Sequence, residues 1–125
     1  MTSNKVVLIV DDSKTDLANL ELILSGEGCT VITASTGREA LIKAQSEQPD
    51  MIFMDIVMDD MDGFEAVRRL TANAATRTIP VVFVSSKRQR ADRVWALMQG
   101  AKELISKPYE PHQIIEQLKV HATRH

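Results

Sequence analysis

A chain of 125 residues is expected to form one domain over 1–125, and at this size about two-thirds of the unfolded surface can be buried. Its composition, 44% hydrophobic and 26% charged, is that of an ordinary water-soluble globular protein. Fifteen Lys and Arg against 17 Asp and Glu leave a net charge of −2, which gives no global pull towards nucleic acid or an anionic membrane.

The first apolar run, Val6 to Val10, is far too short to span a bilayer. The opening Met1-Thr2-Ser3-Asn4-Lys5 lacks the long apolar segment of a secretion signal. A cytoplasmic location with no membrane insertion is therefore expected. The single Cys29 is expected to be a buried, reduced thiol.

Val6–Val10 reads as a strand buried on both faces, closed by Asp11-Asp12. Asp12 or Ser13 can cap a first helix, whose stripe is Leu17, Leu20, Ile23 and Leu24, with Gly26 and Gly28 ending it. Val31-Ile32-Thr33-Ala34 is a β-branched second strand. Thr36-x-x-Glu39 opens a second helix as a capping box, with Ala40, Leu41 and Ala44 facing the core. Met51-Ile52-Phe53-Met54 then runs straight into Asp55.

The following loop carries Asp59, Asp60 and Asp62, and Gly63 is read there as the residue free to take a positive φ. A third helix buries Phe64, Val67 and Leu70, and Asn73 to Thr78 is a polar connection. Pro80–Val84 is the fourth strand and ends in Ser85-Ser86. Lys87-Arg88-Gln89-Arg90 opens a fourth helix with Val94, Leu97 and Met98 as its core-facing stripe and Gly100 as its stop. Glu103 to Ser106 is the fifth strand, ending in Lys107-Pro108. Pro111 starts a last helix with the stripe Ile114, Ile115, Leu118 and Ala122. Five strands alternating with five helices predict an α/β fold with a parallel sheet and right-handed crossovers that cover both faces.

In a parallel sheet all four functional strand ends open on one rim, where ligands bind. Asp11, Asp12 and Asp55 would then sit close together. Two carboxylates about 5 Å apart repel by roughly 3 kcal/mol in an effective dielectric of about 20. Three such groups need a compensating cation, or one must stay protonated; a divalent metal is the simplest answer, and a few carboxylates, one backbone carbonyl and several waters suit Mg²⁺ better than Ca²⁺. Lys107 adds a fixed positive charge and Ser85 a hydroxyl, which together suit a tetrahedral phosphoryl group. Asp55, single at its strand end, is the candidate nucleophile, able to form an acyl phosphate; Asp11 and Asp12 are the paired metal ligands.

Val10-Asp11-Asp12-Ser13, Met54-Asp55-Ile56-Val57-Met58 with Asp62-Gly63, Val84-Ser85-Ser86 and Ser106-Lys107-Pro108 together resemble the receiver domain of bacterial two-component response regulators, over about Lys5 to Leu118. The resemblance implies a flavodoxin-like, CheY-like (βα)5 sheet of strand order 2-1-3-4-5. It implies that Asp55 is the phospho-acceptor, that Asp11 and Asp12 belong to the Mg²⁺ site, and that Val57 lends that site its backbone carbonyl. Ser85 is then the switch hydroxyl and Lys107 the phosphate-binding lysine, with a cis Lys107–Pro108 bond.

The resemblance also implies a phosphodonor partner, a sensor histidine kinase or its phosphotransfer domain. The output partner would be read by the surface of the fourth helix, fifth strand and fifth helix, with Lys87, Arg88, Arg90, Arg93 and Trp95 on it. No reaction is implied beyond self-catalysed transfer and autodephosphorylation, so the chain is not expected to be an enzyme. Stretches such as Ser13-Lys14-Thr15, Ser85-Ser86-Lys87 and Asp92-Arg93-Val94-Trp95 look most like the stand-alone PilG/PilH regulators of twitching motility, which act with type IV pili. Asp59 stands where the family usually has proline, and Leu104 where its fifth strand usually carries an aromatic switch.

Two other readings share these residues: a phosphorylation-independent pseudo-receiver adaptor, and a small phosphatase with an aspartate nucleophile. A flavodoxin-like FMN carrier fits the fold, but clustered acids would repel its phosphate. His121 and His125 have the spacing of a helical metal pair.

Overall fold

The computed structural model describes residues 4–122. The chain runs β1 (Val6–Val10), α1 (Lys14–Gly26), β2 (Thr30–Ala34), α2 (Gly37–Glu47), β3 (Met51–Met54), α3 (Gly63–Ala72), β4 (Val81–Ser85), α4 (Arg90–Gln99), β5 (Glu103–Ser106) and α5 (Pro111–His121). All strand pairs are parallel, and the sheet order is β2-β1-β3-β4-β5. That is the flavodoxin-like and CheY-like order predicted, with the change of winding direction beside β1 and β3.

Side chains alternate across the sheet with period two. Val7, Ile9, Met51, Phe53, Val82, Val84 and Ile105 meet Leu20 and Leu24 of α1 and Ile114 and Leu118 of α5. Leu8, Val10, Ile52, Met54, Val81, Phe83 and Leu104 meet Ala40 and Ala44 of α2, Ala66, Val67 and Leu70 of α3 and Ala96 of α4. Two packed layers on one sheet explain why the central strands read as unbroken apolar runs. Cys29 lies buried in the first layer.

The caps largely follow the sequence. Ser13, not Asp12, caps α1, its Oγ accepting from the Asp16 N–H at 3.2 Å. Thr36 Oγ1 accepts from the Glu39 N–H at 3.0 Å, but Glu39 returns its bond to the N–H of Ser35, at 2.8 Å, one residue outside the usual box. Gly28 and Gly100 take positive φ, at 85° and 116°. Phe64, Leu41, Ile23, Leu17 and Ile115 are only partly buried.

Three expectations need correction. Gly63 does not adopt positive φ; that conformation falls on Asp60, at 73°. Gly63 is required instead by close approach: a Cβ there would lie 2.5 Å from the Asp55 carbonyl oxygen and 2.8 Å from Phe83 Cε1. Helix α4 begins at Arg90 with Gln89 as its cap, so Lys87 and Arg88 belong to the preceding loop. Its stripe also faces the other way: Val94, Leu97 and Met98 are 49%, 38% and 69% exposed, Trp95 beside them is 47% exposed, and Ala96 alone in the helix is buried.

No helix among the described residues is long and apolar enough to cross a membrane. His125 lies outside the described residues, so the His121/His125 pair has no counterpart here.

Candidate functional site

Asp11, Asp55 and Lys107 each follow a strand and are held by one further ladder bond. The Asp11 N–H donates to Ala34 O at 3.1 Å, the Asp55 N–H to Val10 O at 2.9 Å, and the Lys107 N–H to Ser85 O at 2.8 Å. Strands β1, β3 and β5 thus extend by one residue and fix the backbone of three charged groups on the same rim. The register, Val10 opposite Met54 and Ser85 opposite Ser106, sets Asp11 beside Asp55 and Lys107 just past the end of β4. Backbone placement of this kind costs little reorganisation when charge develops nearby.

One carboxylate oxygen from each of Asp11, Asp12 and Asp55 lies within 4.8 Å of the others. Asp11 and Asp55 are buried, at 1% and 8% exposure, while Asp12 is exposed. The Lys107 ammonium donates to Asp11 Oδ2 at 2.8 Å and to Asp55 Oδ2 at 3.4 Å, reaching across 96 and 52 positions of sequence. It also donates to Asp16 Oδ2 at 2.8 Å. The remaining carboxylate oxygens are braced locally: Asp11 Oδ1 accepts from the Ser13 N–H at 2.9 Å, and Asp55 Oδ1 from the Ile56 N–H at 2.7 Å.

Burial pushes the Asp55 carboxyl above its ordinary range. The positive charge of Lys107 and hydrogen bonds from the Ile56 N–H and Ser85 oppose this, and the negative charge of Asp11 adds to it. Burial acts on Lys107 in the lowering direction, but its hydrogen bonds to Asp11 and Asp16 and the charge of Asp55 outweigh it and raise the ammonium. The acids around Lys107 thus favour its charged form.

Four carboxylates facing one ammonium leave the rim short of positive charge. The donor set, hard carboxylate oxygens from residues on two strand ends, fits a small divalent cation of the Mg²⁺ type. Among the described residues this is also the group of three acids close enough to share one ion.

Ser85 is fully buried at the end of β4, its Oγ accepting from the Lys87 N–H at 3.3 Å. The Lys107–Pro108 bond is cis. Val57, two residues past Asp55, exposes its side chain, while the neighbouring Ile56 carbonyl is taken by the Gly63 N–H at 2.8 Å. The loop after β3 is anchored by Ile56, Met58 and Met61, buried in the α2–α4 layer. Asp60 is tied to Arg38 at 2.6 Å.

All six candidate residues thus lie on or beside one rim. Asp16 was missed. Its signal was its place in the first turn of α1, five residues after Asp11, on the helix that leaves this same rim. Tyr109 is also engaged, its hydroxyl accepting from Asn19 Nδ2 at 2.9 Å.

Residues 7–119 match the response regulator receiver domain. The chain belongs to that family. It is 40% identical to Protein PilH of Pseudomonas aeruginosa over 110 residues, covering 88% of this chain and 91% of the relative. Protein PilG of the same organism is 34% identical over 115 residues, covering 92% of this chain and 85% of the relative. Among solved structures, the receiver resembles a chain of the CheX–CheY–BeF3–Mg²⁺ complex from Borrelia burgdorferi, with a TM-score of 0.88 and 28% identity over 96% of this chain and 90% of that one. It is thus a receiver domain of a two-component response regulator, close to PilG and PilH, and the predicted family and fold both hold.

The basic cluster expected on the output surface is partly spent on the receiver itself. Arg93 pairs with Glu103 at 2.6 Å, Lys87 lies 4.0 Å from Asp92, and Arg88 donates to the Lys107 carbonyl at 3.2 Å.

Proposed function

We propose that this receiver takes a phosphoryl group onto Asp55 from the phosphohistidine of a sensor histidine kinase or its phosphotransfer domain, in the cytoplasm and in chemotaxis-like, type IV pilus signalling. One observation carries the reading. Lys107, from the end of β5, contacts both the Asp11 acid of β1 and the single acid after β3. A cation beside a buried, backbone-braced carboxylate is what a phosphoryl acceptor needs.

In the step proposed, an oxygen of Asp55 forms a bond to phosphorus while the phosphorus–nitrogen bond of the donor breaks. The imidazole leaves with the electron pair and is then protonated. Lys107 turns towards the phosphoryl oxygens, and the Ser85 hydroxyl engages one of them. Asp11, Asp12, Asp55 and the Val57 carbonyl would hold Mg²⁺, which when bound supplies neutralising charge to the acids and the phosphoryl group. The neighbouring Borrelia complex, solved with BeF3 and Mg²⁺, supports this assignment, as does the PilH and PilG relationship for the pathway. The chain turns over no external substrate, so it is a signalling module and not an enzyme.

The output would leave through α4, β5 and α5. Val94, Trp95 and Met98 form an exposed apolar patch on α4, the kind of surface a protein partner covers. Trp95 meets Phe64 edge to face at 6.4 Å, and Phe64 meets Phe83 at 5.6 Å. This chain of rings runs from β4, two residues before Ser85, to the patch.

Incubation with a small phosphodonor and Mg²⁺, followed by intact-mass measurement, tests the reading. A gain of one phosphoryl group, lost in Asp55→Asn, is expected. No gain would favour a phosphorylation-independent adaptor, and rapid turnover of an aryl phosphate would favour a phosphatase.

A further inference from the structure

We infer that Asp16 is a positioning residue for phosphoryl transfer: it holds the Lys107 ammonium at the outer rim and so restrains the approach of that ammonium to Asp55. The inference rests on the reading of Asp55 as phospho-acceptor. Lys107 divides its hydrogen bonds among three carboxylates, and the division is unequal. Asp11 and Asp16 each sit at 2.8 Å, whereas Asp55 is at 3.4 Å. The two short bonds leave the nucleophile with the longest of the three contacts.

Asp11 and Asp16 differ in kind. The Asp11 side chain is 2% exposed, and Asp11 is one of the three clustered acids. Asp16 is 41% exposed and stands outside that cluster, so it is the solvent-accessible partner of Lys107. Its position is set by the Ser13 cap, which holds the Asp16 N–H at 3.2 Å and orients the first turn of α1 towards the rim.

An acid in the first turn of a helix has a simpler explanation, the favourable interaction with the helix dipole. The dipole accounts for the charge. It does not account for a carboxylate brought against an ammonium 91 positions away in sequence. Phosphoryl oxygens on Asp55 would place new negative charge beside Lys107, and to serve them Lys107 must shorten its longest contact and loosen one of the two short ones. Asp11 is braced by its bond from the Ser13 N–H and cannot follow easily. Asp16 is the partner released, and its charge opposes the release.

Asp16→Asn keeps the shape of the side chain and the backbone bond to Ser13 while removing the charge. The probe is acetyl phosphate with saturating Mg²⁺, followed by intact mass. An Asp55 oxygen bonds to phosphorus, the bond from phosphorus to the acetyl oxygen breaks, and acetate leaves with the electron pair. Asp16→Asn is expected to gain the phosphoryl group about five-fold faster than wild type, the scale of losing one partly exposed ion pair. Asp16→Glu, which restores the charge, is expected to stay within about two-fold of wild type.

Two controls separate positioning from general repulsion of an anionic donor. Asp59→Asn removes an exposed loop acid and should change the rate by less than about two-fold. In a Lys107→Met background the gain from Asp16→Asn should vanish. An unchanged or slower Asp16→Asn, an equal gain in Asp59→Asn, or a gain that survives without Lys107 overturns the inference. Should wild type take up no phosphoryl group, the Asp55 reading falls and this one with it. Should wild type be labelled while Asp16→Asn merely matches it, only the positioning role falls. Circular dichroism melts of each variant confirm that the fold is retained.

Discussion

Asp12→Asn tests the electrostatics of the rim directly. Asp12 shares a 4.8 Å neighbourhood with Asp11 and Asp55, and Lys107 bonds to those two but not to it. At that separation two full charges in an effective dielectric of about 20 repel by about 3.5 kcal/mol. Asp12 is exposed, so water and salt remove most of this, and a net relief of about 1 kcal/mol remains. Urea unfolding in EDTA should therefore show Asp12→Asn more stable than wild type by about that amount, with an unchanged slope. Saturating Mg²⁺ should reverse the order, because an ion bound only by the folded state stabilises wild type by mass action and the variant has lost a ligand. A variant less stable than wild type in EDTA, or an advantage that Mg²⁺ leaves intact, would refute the argument that these carboxylates are crowded and cation-seeking.

Gly63→Ala should destabilise by about 3 kcal/mol in the same unfolding assay, because the new Cβ meets a backbone carbonyl that cannot move aside; a loss under about 1 kcal/mol would show that the loop yields. The Arg93 pair gives a pH dependence. The hydrogen bond from Arg93 holds the Glu103 carboxyl below its usual range, against the effect of burial. The folded value is thus below the unfolded one, so the pair stabilises above the ordinary carboxylate range and its contribution is lost as pH falls through the folded value. The stability gap between wild type and Arg93→Gln should close on acidification, and a constant gap would contradict the assignment. Trp95 is the sole tryptophan, so its emission should shift on addition of phosphodonor and Mg²⁺ in wild type and stay constant in Asp55→Asn.

The sheet was legible because its strands are buried on both faces. β1, β3 and β4 could only be written in apolar residues, and each stopped where the chain met the rim. The site was legible for the same reason: Asp11, Asp55, Ser85 and Lys107 stand out as polar residues ending apolar runs. Contacts that depend on where a helix leaves the rim were not legible. Asp16 reads as an ordinary first-turn acid until the start of α1 is placed beside Lys107, just past the end of β5. Gly63 reads as a turn glycine, yet its constraint comes from the Asp55 carbonyl and the Phe83 ring. Thr76, in a stretch read as a polar connection, is 2% exposed and donates to the Leu70 carbonyl at 2.7 Å, ending α3. Met58 and Met61 read as loop residues and are core residues.

Helix α4 shows the limit in its sharpest form. Residues at 94, 97 and 98 have helical spacing, and periodicity reports that such a stripe exists without reporting which way it points. On α1, α3 and α5 the apolar stripe meets the sheet. On α4 the contact is made by Ala96, whose small side chain lets the helix lie close, with Ala101 beyond its end and the Arg93–Glu103 pair at its flank. Val94, Leu97 and Met98 are left facing solvent, with Trp95 half-exposed against Phe64. A helix anchored by so little buried apolar surface is less costly to displace than its neighbours, and the surface it withholds from the core is what a partner can bury. Under the proposed function, low anchoring and outward apolarity have one cause, the use of the stripe outside the domain. In the proposed reading, that makes α4 the element on which a change at Asp55 can act most cheaply.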